Sequence, residues 1–514
     1  MAIPTGTTSR QLAAVARWAL ASVVVVGMLT WWWPSFRTWG ALSAGLGIVF
    51  ALWVLQRTVA AERTVPGHPV YWVLLAPAAI LTVHLAWTGL GTAEAPSMAL
   101  GGAMNMSMLF QLALLACGVM LSQSLLPRAA SHISVLSVCG VAMMGGAAAA
   151  MVWGRAEQAR CALALLGFAG VGVWLSMLWG LSAEQSVELS SRRGRELQLI
   201  CIVVAVAAAA GLTYVAPSSA AVAAVVVGVV LFAAGLVFHQ RRIILLLAGG
   251  ILAAAGLWAV RSGLAAIVPA GDVAWFGRGE EAFAAVSAAD NGLAVLAATI
   301  GFFGAGWLVL GAAACVTWLL CHARRGHAGD QARAIVWTAG AALAGCAMLA
   351  PGGLFIPAIM LAVALTWGLL PAMLGRRQRC RSGVVVLAVL AGIALLLGLA
   401  RRDGLLGWSA NAFGGAEIFL HTATGFLLAL VLSWLMGGRS VWLGLAGILL
   451  AALAGGAGEA LQAVASRRGA EWKDWLAHTA GSAAVIVPYL LAVGSRMCES
   501  PDARSRDIHK AYHI

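Results

Sequence analysis

The sequence predicts an all-α fold, a polytopic integral membrane helical bundle of about sixteen transmembrane helices with N- and C-termini cytoplasmic. Three observations carry this reading. Of the 514 residues, 62% are hydrophobic and only 10% charged, with a mean hydropathy of +0.92, whereas soluble chains carry about a quarter of their residues as charges. Apolar runs of about 20 residues recur along the chain, and a backbone in hydrocarbon must satisfy its own hydrogen bonds, so these runs are helices rather than loops or open sheet. The 32 Lys and Arg residues also sort by side: with the N-terminus inside, about 22 fall in cytoplasmic loops and about 10 outside, in keeping with the positive-inside rule.

In chain order the spans are expected near 12–33, 38–55, 70–90, 99–126, 134–153, 161–181, 199–217, 218–238, 243–260, 292–320, 335–354, 355–374, 384–400, 420–436, 442–464 and 476–493. The first run ends in Trp31-Trp32-Trp33-Pro34 with no small-residue cleavage site. It therefore reads as an anchor with an interfacial aromatic belt rather than a signal peptide. The strongest inside loops are Ser190 to Arg195, His322 to Arg333 and Arg376 to Arg381; the extramembrane segments Arg261 to Asn291 and Ser466 to Trp475 fall outside.

The polybasic stretch at 376–381 marks a boundary, giving a twelve-span region over 1–375, a four-span domain over 384–493 and a cytoplasmic tail over 494–514. The net charge of +13 is accounted for by topology, so no nucleic-acid partner is expected. The nine cysteines include no C-x-x-C pair and read as small apolar packing residues. His84 and Asn105 read as interhelical hydrogen-bond partners. No phosphate-binding or dinucleotide fingerprint is present, and no cofactor or resident metal is expected.

Polar residues inside apolar helices are costly and therefore mark function. Glu417 and His421, four residues apart, share one helical face; Glu459 and Gln462, three apart, share another. Arg467-Arg468 follow, then Asp474 and His478, again four apart. Together these side chains can bind a lipid-linked anionic headgroup, with arginine on phosphate. They can also hold a divalent cation through His and carboxylate, transfer protons, or form a polar network that only orients helices.

The pattern Glu459-x-x-Gln462, Arg468, then Asp474-Trp475-Leu476-Ala477-His478-Thr479-Ala480-Gly481 resembles the VanZ-like family, whose motif is E-x-x-Q, R, D-x-x-x-N-T-x-G. The upstream Glu417-x-x-x-His421 is similar to that family's D-x-x-x-H. The resemblance covers about residues 400–493. Glu417 stands where the family has Asp, and His478 where it has Asn. The resemblance implies a cell-envelope role and sets no reaction.

Upstream, Phe276-Gly277-Arg278-Gly279-Glu280-Glu281-Ala282-Phe283, then Asp290-Asn291 and Thr299-Ile300-Gly301-Phe302-Phe303-Gly304, resemble the outer-loop motif of the O-antigen ligase/polymerase family. The resemblance covers about residues 10–375. In that family polyprenyl-diphosphate-linked glycans are transferred to an acceptor hydroxyl. The resemblance assigns a catalytic role to Asp290, Asn291 and Arg278. Asp290 replaces the family's His and Thr299 its helix Glu, so the ligase-like half is expected to be catalytically degenerate. If active, it would be an envelope glycan transferase.

These observations predict a multi-pass protein of the bacterial inner (plasma) membrane that binds or processes lipid-linked envelope glycans. Its partners are membrane lipids, including polyprenyl-linked glycans, and other membrane protein subunits. Glu417, His421, Glu459, Gln462, Arg468, Asp474 and His478 form the expected headgroup site. The alternative is a non-catalytic structural subunit of a larger membrane complex. A proton- or ion-coupled transporter fits less well, because the ionisable residues gather at the outer edge rather than the midplane.

Overall fold

The computed structural model describes residues 5–30, 36–60, 62, 65–90, 108–126, 292–321, 345, 348, 354, 356–373, 379–380, 417–437, 440–465 and 471–497. The spans expected near 134–153, 161–181, 199–217, 218–238, 243–260 and 384–400 lie outside the described residues, as does nearly all of 335–354. Apart from the two-residue strands β1 (Val65–Pro66) and β2 (Arg379–Cys380), the described elements are helices. They are α1 (Thr5–Thr30), α2 (Phe36–Val59), α3 (Val70–Leu90), α4 (Met108–Leu125), α5 (Gly292–Cys321), α6 (Pro357–Met373), α7 (Glu417–Met436), α8 (Val441–Ala465), α9 (Trp472–Ala484) and α10 (Ile486–Met497).

The protein is therefore all-α where described, and its helices are those of a membrane protein. Among the described residues, four helical stretches are long and apolar enough to cross a bilayer: Thr8–Gly27, Thr38–Val59, Val441–Ala460 and the α9–α10 stretch Trp472–Ser495. At about 1.5 Å per residue, 20 residues reach about 30 Å, the thickness of the hydrocarbon core. Their outward faces carry large apolar side chains, among them Trp18, Ile48, Trp442, Leu449, Leu453, Val487 and Leu491, all exposed. Water would not favour such surfaces, but lipid does. The break between α9 and α10 has a local cause: Pro488 cannot donate to the carbonyl four residues back, and its ring crowds that carbonyl.

The span expected at 292–320 is not straight. Within α5, Gly301 adopts φ 73°, ψ 179°, a conformation open to glycine and strained for any residue with a Cβ. The chain bends there by 114° between Val295–Gly301 and Phe303–Ala312.

Contacts divide the chain into two units: Met1–Leu20, Ala44–Val65 and Leu395–Ile514 form the first, Ala21–Ser43 and Pro66–Ala394 the second. In the second, α6 is buried continuously from Ile356 to Leu369, as befits a helix apolar all round. Pro357 occupies its first position, where no intrahelical donor is needed. Helix α4 meets α6 through small residues. A Cβ on Gly368 would strike the backbone of Val119 and Cβ of Ser122, and one on Gly118 would strike the Ala364 side chain. The loop before α3 is strapped onto both. Gln123 Nε2 donates to the Gly67 carbonyl at 3.1 Å, and His68 Nε2 to the Trp367 carbonyl at 2.8 Å. His68 Nδ1 accepts from the Val70 amide at 3.0 Å, so the ring is held neutral.

In the first unit, Trp53 of α2 packs edge-on against Trp434 of α7 with ring centroids 5.5 Å apart. Arg57 lies 5.4 Å over the Trp53 ring and pairs with Glu62, whose backbone carbonyl accepts from Trp434 Nε1 at 2.9 Å.

Burial pulls the His68 imidazole down to about 4, against the smaller raising effect of its bond to Trp367. Its folded value lies below the ordinary 6.5, so the folded state binds fewer protons, and stability rises with pH across this window. The contribution is complete above pH about 6.5 and is lost as the pH falls towards about 4. Thermal unfolding in detergent should show a loss of about 2 kcal/mol between pH 7 and pH 5 from this group. His68→Gln, which keeps a donor without the titration, should flatten the slope.

Candidate functional site

The polar residues singled out in the last four expected spans fall on α7, α8 and α9, three helices that alternate in direction and pack closely. Glycine makes the approach possible. A Cβ on Gly425 of α7 would collide with the His478 carbonyl of α9, and one on Gly481 of α9 would collide with the Thr422 carbonyl of α7. A Cβ on Gly455 of α8 would meet the His478 ring. Side chains then bond across the crossings: Ser482 Oγ lies 3.2 Å from the Gly425 carbonyl oxygen, and Trp475 Nε1 donates to the Ala452 carbonyl at 3.3 Å.

This packing gathers His421, Glu459 and Asp474, one residue from each helix, at one end of the group. Their candidate ligand atoms all lie within 4.8 Å of one another. His421 Nε2 stands 3.6 Å from Asp474 Oδ2, within ion-pair range. Glu459 is only 7% exposed and Asp474 only 5%, so both carboxylates are shielded from water in an apolar bundle. The backbone amide of Glu471, the residue preceding α9, donates to Glu459 Oε2 at 3.3 Å. Asp474 sits in the first turn of α9, where the positive end of the helix dipole favours a carboxylate.

His478 is 3% exposed and turns to α8, donating Nε2–H to the Ala451 carbonyl at 3.1 Å. That bond links α9 to α8. Glu417 and Gln462 lie in α7 and α8, but only their backbone is described; Arg468, Arg278, Asp290 and Asn291 lie outside the described residues. So does Asn105, and of His84 only the backbone is described. Thr299 is fully buried. Its hydroxyl donates to the Val295 carbonyl of its own helix at 2.6 Å.

Two contributors to the site are not evident from motif spacing. The Glu471 amide carries no side-chain signal. Ser482, four residues after His478 in an apolar run, has the spacing of a shared helical face. No family model, curated protein or solved structure matches the chain.

The geometry predicts a contrast among glycines. Gly481→Leu or Gly425→Leu should separate α7 from α9 and cost at least about 1–3 kcal/mol, the usual toll of overpacking. Gly458→Ala, inside α8 where an added Cβ meets nothing within 4 Å, should keep stability or raise it by up to about 1 kcal/mol. Thermal melts of the purified variants in one detergent would measure both.

Proposed function

We propose that this chain is a multi-pass protein of a bacterial inner membrane that binds the anionic headgroup of a lipid-linked envelope glycan at the converged end of α7, α8 and α9. In this reading it has about sixteen spans and cytoplasmic termini, and the polar end faces outward. The observation that carries the proposal is the meeting of His421, Glu459 and Asp474 in an apolar bundle, because burying two carboxylates there without use would be a standing cost. The resemblance of this stretch to the VanZ-like family points to the same envelope role. Arg467 and Arg468 stand within four residues of Glu471 in sequence and supply guanidinium groups suited to bidentate phosphate binding. The ligase-like half is read as catalytically degenerate, since Asp290 and Thr299 replace its His and Glu. A carboxylate at Asp290 would repel the diphosphate that such an enzyme must attract.

Mass spectrometry of lipids co-purifying with the intact protein tests this. The native chain should carry an anionic, polyprenyl-linked envelope lipid, and a Glu459→Ala, Arg468→Ala double variant of the same oligomeric profile should lose it. Identical lipid content in both, with only other membrane proteins co-purifying, would replace this reading with that of a structural subunit.

A further inference from the structure

We propose that His421, Glu459 and Asp474 form a binding site for one divalent transition-metal ion, of the Zn²⁺ or Mn²⁺ class. The ion deepens the headgroup reading without depending on it, since it rests on these three side chains alone.

The geometry is close to that of a loaded site. Ligand atoms bonded to such an ion at about 2.0–2.2 Å are separated from one another by about 3–3.6 Å in tetrahedral or octahedral arrangements. His421 Nε2 and Asp474 Oδ2 already stand 3.6 Å apart, and the whole set lies within 4.8 Å. Closing the remaining gap takes a shift of a ligand atom of roughly 1 Å. The donor set is one imidazole nitrogen and two carboxylates. It suits a borderline or hard dication better than a soft monovalent one, which would favour thiolate or thioether ligands.

Electrostatics points the same way. Two carboxylates of at most 7% exposure, held within 4.8 Å of each other's ligand atoms, repel one another in a low-dielectric bundle. A dication would turn that repulsion into coordination, as bound ions do when they are the largest local charge. The surroundings also hold the ligands in place. The Glu471 amide orients the Glu459 carboxylate, the role that outer hydrogen bonds play around metal ligands. The close crossings at Gly425, Gly455 and Gly481 fix the spacing of the three helices. His478 points its Nε2–H at Ala451 and is not among the three ligands. Three protein ligands leave a coordination position for water or for a phosphate oxygen. A phosphate drawn to that position would meet the cation that the two carboxylates hold.

The test uses the full-length protein in detergent, stripped with chelator and then titrated with Mn²⁺ alone. Calorimetry should give one site per chain. Pulsed EPR of the bound Mn²⁺ should show nitrogen coupling from one imidazole. Glu459→Gln and Asp474→Asn, which preserve shape, should each weaken binding about tenfold or more, and His421→Ala should remove the nitrogen coupling. Absence of a stoichiometric Mn²⁺ site in the native chain overturns the proposal. So does a site whose affinity and nitrogen coupling are unchanged in all three variants. Co-purified lipid, measured on the same samples, separates the two readings. Metal bound without any anionic envelope lipid keeps the ion and removes the headgroup reading. Anionic lipid retained by a chain that binds no metal does the reverse.

Discussion

The close approach of α7, α8 and α9 is the constraint on which the C-terminal unit depends. Between helices in a bilayer the hydrophobic effect offers little discrimination, because lipid tails are as apolar as the side chains that would replace them. What remains is close packing and hydrogen bonding. Gly425, Gly455 and Gly481 allow both, since a Cβ at any of them would collide with a neighbouring backbone or ring. The hydroxyl of Ser482, the indole of Trp475 and the imidazole of His478 then reach backbone carbonyls on adjacent helices. The second unit uses the same device at Gly118 and Gly368 between α4 and α6.

The polar cluster follows from that packing. Residues in the first turns of α7 and α9 and near the last turns of α8 share one end because the three helices alternate in direction. Had α7 and α9 been held farther apart by larger residues, His421 and Asp474 would not stand 3.6 Å from one another. Glu459 completes the group and is itself oriented from the turn by the Glu471 amide. The chemistry of the site thus rests on backbone distances set by residues that have no chemistry of their own.

The two histidines of the C-terminal cluster illustrate how environment separates like residues. His421 is partly exposed and faces a carboxylate, which favours a ligand or ion-pair role. His478 is buried against α8 and donates to a carbonyl, which favours a link between helices. In the other unit His68 does similar work at both ring nitrogens. Motif spacing treats His421 and His478 alike as polar residues in apolar surroundings, and the difference lies in which groups come within reach.

From the sequence alone came the helical membrane character and several helix extents, since runs such as 70–90 and 442–464 are apolar enough to allow nothing else. The same runs supplied the candidates: a carboxylate or imidazole at the end of an apolar helix stands out because burying it is costly. Tertiary structure alone decided which candidates meet. It joined His421, Glu459 and Asp474, turned His478 towards α8, bent α5 at Gly301 and brought Ala44–Val65 into the same unit as the C-terminal helices. The physical reason is that helices apolar on every face have no stripe from which to read their neighbours. Their pairing is set by a few small residues and backbone acceptors that come together only in three dimensions.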